Sequence, residues 1–340
     1  MKICQVLCSR GNGGLERHFV DLCNRLAERH EVIAVAHPEF RARLNAQVRF
    51  EPLDMSGWRY HPLVLARLYG ALRRHRPDIV HAQANKAAVT VGLLRHVIRA
   101  KRVATVHNLK HDTRMFRSFD QVIAVSRQAA AQLDHPRVEV IFNGIVPPTL
   151  PPETGHRYLC TALDVELAQP TVISVGRMVP AKGFDMLLRA WADVKASLVI
   201  VGDGPERSAL EKLARELALS DRVIFAGFRQ DVPALLASAD LMVIASRNEG
   251  FPYVLVEGLH VRQVVVATRV PGAMDVLPGS FMVDYGAPEQ LAAAVRRVLG
   301  DIEAARRIFN PVWEFAAREL SLARMAEKTE QVYQKALAMP

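Results

Sequence analysis

Twice along this chain, short apolar runs alternate with helix-period segments, and a proline-rich stretch separates the two series. The first series opens with "KICQVLC" (2–8) and continues through "EVIAVA", "DIVHAQ", "RVATVH", "QVIAVS" and "VEVIFN". Helical patterns lie between most of these runs, such as 15–29 with Leu15, Phe19, Leu22 and Leu26 on one face. "GIVPPTLPPETG" (144–155) then reads as an interdomain linker. The second series is "TVISVGR", "SLVIVGDG", "RVIFAGF", "LMVIAS", "VVVAT" and "SFMVDY", again with helical segments between, and a long helical pattern over 311–338 closes it. Strands that alternate with helices build parallel sheets covered on both faces. The expectation is two Rossmann-like, doubly wound α/β domains over 1–150 and 151–310, followed by a helical segment over 311–340. Such sheets bind ligands at the carboxyl ends of their strands, and the cleft between two of them is the default site.

A chain of 340 residues, half of them hydrophobic, buries a core without disulfides. Its four cysteines, Cys4, Cys8, Cys23 and Cys160, form no C-x-x-C pair and read as core thiols of a reducing compartment. No apolar run is long enough to span a membrane, and the N-terminus turns glycine-rich too soon for a signal peptide. A cytoplasmic location is therefore expected. The charge is uneven: residues 1–150 carry 23 Lys and Arg against 12 Asp and Glu, and the remainder carries 21 against 23. The first half is expected to meet something anionic, with nucleic acid, an anionic membrane surface and a phosphorylated substrate as candidates. "LARLYGALRRHRP" (65–77) and "LLRHVIRAKR" (93–102) are basic and amphipathic enough to lie on such a membrane, and solvated helix faces explain them equally.

At "GNGG" (11–14) a strand enters a glycine loop and then a helix, so a phosphate or sugar can approach the backbone. A tight turn without a ligand is the competing reading. The dinucleotide fingerprint fails here, because Glu16 stands at the third glycine and only His37, Pro38 and Glu39 follow the second strand. His107 in "ATVHN" and His81 in "DIVHAQ" occupy comparable strand ends, and spacing does not separate them. In "SVGRMVPAKGFDMLLRA" (174–190), Arg177 and Lys182 project from the loop that follows Gly176. Two cations there suit a diphosphate whose charge grows as it leaves. Asp203 and Glu206 in "VGDGPERSAL" read as helix caps. Arg229, just past the strand in "FAGFRQ", marks a loop that can hold a nucleotide base.

"ASRNEGFPYVLVEGLHV" (245–261) is the sharpest stretch. Glu249 falls in the loop beyond a buried strand, Pro252 suits the first turn of the next helix, and Glu257 lies farther along that helix. The two carboxylates are spaced to hold different parts of one extended ligand, with the amides from Gly250 to Val254 free for its phosphate.

These motifs, with "VVVATRVPGAMDVL", together resemble glycosyltransferase family 4, whose members are retaining enzymes of the GT-B fold that use nucleotide sugars. The resemblance is strong over 170–300 and weaker at "GNGGLERHF", "VATVHN", "QVIAVS" and "VIFNGI". It implies that Arg177 and Lys182 clamp the donor diphosphate, Glu249 contacts the donor sugar and Glu257 binds the ribose. Gly250, Phe251, Pro252 and Val254 would meet phosphate and sugar through the backbone near Gly176. His107 would hold the sugar from the first domain, and Gly13 and Gly14 would form a loop near the phosphates and the acceptor. Asn143 and Gly144 match the family's junction, and the final helix would cross back to the first domain. Asp275 stands only approximately where the family has another acidic residue.

The chain has no Asp-x-Asp pair, so no metal is expected at the diphosphate, and the donor, a UDP- or GDP-sugar, is a co-substrate with no further cofactor. The resemblance implies a hexosyltransferase of lipopolysaccharide core or surface-glycan assembly. It would use a glycan or lipid-linked acceptor, peripheral at the inner face of the cytoplasmic membrane. A nucleotide-sugar epimerase or hydrolase on the same plan, and a nucleic-acid-binding protein, are the alternatives. The last finds no aromatics interleaved with its basic residues.

Overall fold

A computed structural model describes residues 1–58, 61–108, 112–168 and 170–339. The chain divides into two compact units, Met1–Ile145 with Leu320–Pro340, and Val146–Glu319.

The first unit is built on a parallel sheet of β1 (Lys2–Leu7), β2 (Glu31–Ala36), β3 (Arg49–Pro52), β4 (Ile79–Gln83), β5 (Lys101–Val106), β6 (Gln121–Ala124) and β7 (Val138–Val140), in the order β3-β2-β1-β4-β5-β6-β7. Its helices are α1 (Gly14–Leu26), α2 (Pro62–His75), α3 (Ala84–Leu93) and α4 (Arg127–Ala131). Side chains alternate across the strands. Ile3, Leu7, Ile79 and Val103 face a core with Phe19, Leu22 and Leu26 of α1, while Cys4, Val6, Val80 and Ala104 face Leu68, Leu72, Ala87 and Val91 of α2 and α3. Burial pushes the Cys4 and Cys8 thiols up to about 12, so both are inert packing groups.

In the second unit the parallel sheet comprises β8 (Thr171–Val175), β9 (Ser197–Val201), β10 (Val223–Gly227), β11 (Leu241–Ile244), β12 (Val265–Thr268) and β13 (Met282–Val283), ordered β10-β9-β8-β11-β12-β13. Around it lie α5 (His156–Leu163), α6 (Phe184–Trp191), α7 (Arg207–Glu216), α8 (Val232–Ser238), α9 (Tyr253–His260), α10 (Pro271–Val276), α11 (Pro288–Gly300) and α12 (Ile302–Glu319). Trp191, Phe281 and Phe309 are its bulkiest sealed side chains.

Three expectations change. The helical run over 311–338 is two helices, α12 and then α13 (Leu322–Leu337). Pro311 lies inside α12 rather than opening a helix, and the break falls at Ser321, whose hydroxyl accepts from the Arg324 amide at 3.2 Å. The segment that joins the first unit therefore begins at Leu320, not 311. Second, β3 and α5 were not anticipated; β3 is a four-residue strand at the sheet edge with little apolar alternation. Third, "LLRHVIRAKR" is no amphipathic helix: α3 ends at Leu93, a turn follows, and Lys101 opens β5.

The return of α13 is fastened at the Asn143–Gly144 step. Ile145 and Leu322 exchange backbone bonds with Leu320 and Ile145 at 3.1 and 2.8 Å. A Cβ on Gly144 would stand 2.2 Å from the Ser321 carbonyl oxygen, so only glycine permits this approach. Leu322, Met325, Ala326, Val332, Tyr333 and Ala336 then complete the core on the α1 face.

Candidate active site

The carboxyl edge of the second sheet collects most of the expected residues. β8 ends at Val175, and the loop through Gly176 and Arg177 closes in one tight turn, Pro180–Lys182. Gly183 follows with φ +65°, its α-carbon so close to β11 that a Cβ would lie 2.1 Å from the Ala245 carbonyl oxygen. The Arg247 amide donates back to the Ala181 carbonyl at 2.8 Å, which zips the two loops together. This zipping brings Lys182 to Glu249: Nζ and Oε1 form an ion pair, and Ser246 Oγ donates to the same oxygen at 3.1 Å. The pair is half-sequestered, with side chains 24% and 16% exposed. Gly176 lies against the stem of Lys182, and Arg177 is exposed with no ion pair among the described residues.

α9 starts at Tyr253, so Pro252 is its N-cap rather than its first residue. The first N–H groups of a helix have no partner within it, and its dipole favours an anion there. Phe251 and Val254 are buried, and Phe251 packs on Gly272. Glu257 is half-buried on a helix whose Val254, Leu255, Val256 and Leu259 are buried. Arg229 is held two-handed by Asp231 at 2.9 and 2.7 Å, and Tyr158 also donates to that carboxylate at 3.3 Å. The hydrogen bond from Arg229 lowers the Asp231 pKa. Asp203 accepts from the Gly204 amide, whereas Glu206 makes no side-chain cap. Arg247, which the sequence did not single out, pairs with Asp185 at 2.7 Å and stacks over the Tyr285 ring.

At the carboxyl edge of the first sheet, the glycine loop is held by carboxylates. Gly11 donates to Glu39 Oε1 at 2.6 Å, and Gly13, the N-cap of α1, donates to Glu16 Oε2 at 2.9 Å; Gly14 is the first helical residue. Glu39 was passed over in the sequence because it lies three residues beyond β2. The structure separates the two histidines that spacing could not. His81 is in the middle of β4 and sealed, hydrogen-bonded to Thr105 and Tyr333 at 2.7 Å each. His107 lies just past β5, where Nε2 meets Gln83 Oε1 at 2.9 Å and its ring meets that of His18 edge-on. Burial, then the neighbouring His18 and His81, depress the His107 pKa well below the ordinary value. Burial lowers His18 to about 4 against the opposing bond to Asn143, and lowers His81 to about 3. All three rings are neutral at physiological pH.

Two parallel α/β sheets of this order are the architecture of the GT-B fold. HepE from Anabaena, crystallised with UDP and with UDP-glucose, superposes on this chain with a TM-score of 0.84 in its UDP complex, at 23% identity over 98% of this chain and 100% of that one. A family description, "Glycosyl transferases group 1", matches residues 169–301, and "Glycosyltransferase Family 4" matches 12–147. The lipopolysaccharide core biosynthesis glycosyltransferase LpsD of Rhizobium meliloti is 32% identical over 85% of each chain. LpsE of the same organism is 29% identical over 85% of this chain and 86% of its own. The chain belongs to glycosyltransferase family 4 and is a glycosyltransferase.

Proposed function

We propose that this enzyme transfers a hexose-type sugar, with retention, from a nucleotide diphosphate donor to a glycan or glycolipid of lipopolysaccharide core or surface-polysaccharide assembly. The observation that carries this reading is the Lys182–Glu249 pair beside the N-terminus of α9. The donor diphosphate replaces Glu249 as the partner of Lys182, with Arg177 and the first amides of α9 completing its neutralisation. Glu249, so released, orients the sugar hydroxyls and supports oxocarbenium-like charge, while Glu257 holds the ribose. His107 contacts the sugar. The anomeric carbon–phosphate oxygen bond breaks, the acceptor oxygen bonds to that carbon from the same side, and its proton passes to the departing diphosphate. These residues supply the neutralising charge without a metal.

UDP and UDP-glucose in HepE, and the named role of LpsD and LpsE, support the donor and acceptor classes. The basic first unit supports an anionic membrane surface as partner, at the inner face of the cytoplasmic membrane. A cavity of about 950 Å³ in this unit is lined by Arg95, Arg102, Arg114, Arg117, Arg137 and the exposed Leu93, with Asp120 and Asp112 paired to Arg102 and Arg114. Among the described residues, no helix is long and apolar enough to cross a membrane.

The test is thermal unfolding with UDP-, GDP- and ADP-sugars. At a hundred times its dissociation constant, the true donor stabilises the fold by about 2.7 kcal/mol. No shift with any of them rejects the reading, and sugar release or epimerisation without an acceptor favours a hydrolase or epimerase. Co-sedimentation with anionic vesicles at low salt tests the membrane partner, and retention of the protein in the supernatant rejects it.

A further inference from the structure

One face of the first sheet carries a polar row inside an otherwise apolar core. Gln5, His81, Gln83, Thr105 and His107 lie on β1, β4 and β5 or immediately after, on the side covered by α1 and α13. Gln5 is in register with His81, and Gln83 with Thr105. All five are buried, so each polar atom depends on its neighbours for hydrogen bonds. Tyr333 of α13 enters from above, fully sealed.

From His107 to Tyr333 the bonds run in one direction. His107 Nε2 donates to Gln83 Oε1 at 2.9 Å, Gln83 Nε2 donates to Gln5 Oε1 at 3.0 Å, and Gln5 Nε2 donates to the Tyr333 hydroxyl at 2.8 Å. The Tyr333 hydroxyl also meets His81 Nδ1 at 2.7 Å, with Gln5 Nε2 3.3 Å from the same nitrogen, and His81 Nε2 meets Thr105 Oγ1 at 2.7 Å. A carbonyl oxygen only accepts, so Gln83 Oε1 requires a proton on His107 Nε2. The ring is neutral, which leaves Nδ1 bare. Among the described residues, Nδ1 has no hydrogen-bond partner.

We propose that Tyr333, Gln5 and Gln83 form a one-way hydrogen-bond relay that holds His107 as its Nε2–H tautomer and presents Nδ1 as an acceptor for a hydroxyl of the donor sugar. Gln83 is a positioning residue acting through His107, and α13 anchors the relay through Tyr333. The relay rests on the proposed function only for the identity of its ligand. It also sets a selection rule: the sugar group met by His107 must carry a hydrogen to donate, so an ether or a fluorine at that position is refused.

The experiment is a two-bond proton–nitrogen spectrum of the full chain labelled with ¹⁵N in its histidines, without ligand at neutral pH, with His107→Asn to assign the signal. The expected His107 pattern is a protonated Nε2 and an unprotonated Nδ1. A protonated Nδ1, or an average of both tautomers, overturns the proposal. Gln83→Met is expected to give that average and lower kcat about tenfold, the worth of one hydrogen bond, with little change in KM. Tyr333→Phe keeps the packing and removes only the hydroxyl, so it reads the relay even where Gln83→Met fails to fold. It is expected to broaden the tautomer signal with a smaller loss of kcat; an unchanged His107 pattern in Tyr333→Phe removes α13 from the relay. Because the spectrum is taken without donor, the tautomer stands or falls independently of the thermal screen with nucleotide sugars.

Discussion

Two sheets of nearly the same topology carry their polar residues in opposite ways. Both change winding direction at a central pair, β1 with β4 and β8 with β11. At the carboxyl edge of the second sheet the polar residues are charged, paired and partly open to water: Lys182 with Glu249, Arg229 with Asp231, Arg247 with Asp185. Beneath the carboxylate-held glycine loop of the first sheet, a row of polar residues is instead sealed, neutral and linked by amides, from His107 through Gln83 and Gln5 to Tyr333. Charge kept near water can change partners at low cost, which suits a diphosphate that arrives and leaves. Neutral groups kept dry hold one geometry, which suits an uncharged sugar.

The sharpest way to break this contrast is at Lys182. Lys182→Ala is expected to lower turnover by about 10²–10³-fold, as removal of a group aimed at developing charge does, in an assay of donor consumption. A loss of only a few fold would move the diphosphate elsewhere.

Acid is the next lever, and it acts on the first sheet. His18 and His81 ordinarily titrate near 6.5 but stay neutral in the fold down to about 4 and 3. Between those values the unfolded chain binds more protons than the folded one, so stability falls as pH falls from about 6.5. The slope approaches about 1.4 kcal/mol per pH unit for each histidine. Between pH 7 and 5, above the usual carboxylate range, hydrogen-exchange protection relative to the intrinsic rate is expected to fall in β1 and β4 ahead of β8 and β11. An equal loss of protection in both sheets would erase the distinction.

Gly144→Ala follows in size. Its methyl would meet the Ser321 carbonyl, and the expected cost is about 1–3 kcal/mol in a denaturant titration, read as earlier unfolding of the first sheet. Smallest is Arg229→Ala. Its partly exposed ion pair is worth about 0.2–1 kcal/mol, and a larger loss of stability would show that the second edge is rigid after all.

Local patterns were legible in the sequence and distant ones were not. The strand–helix alternation yielded both sheets, because apolar runs bounded by turns reflect burial of the strand that carries them. Glu249 and Glu257 were readable because one strand, one loop and one helix place them both. His107 and His81 were not separable, because only the strand register puts His81 in the middle of β4 and His107 beyond β5. The Gln5–Tyr333 bond joins residues 328 positions apart, and nothing near either residue announces it. Pro311 misled for a related reason: proline commonly opens helices, and the helix that does open here is α13, capped by Ser321 ten residues later.

The return of α13 also imposes an order of events during synthesis. The strands of the first unit leave the ribosome early, yet the face that holds Ile3 and Leu7 is covered by α1 alone until Leu322–Leu337 has been made. At about 5–20 residues per second, that delay is on the order of 10 s or more. Every segment of the second unit is complete before α13 emerges. The unit that begins first is thus the one that finishes last, and through that interval its apolar face has only the partial cover of α1.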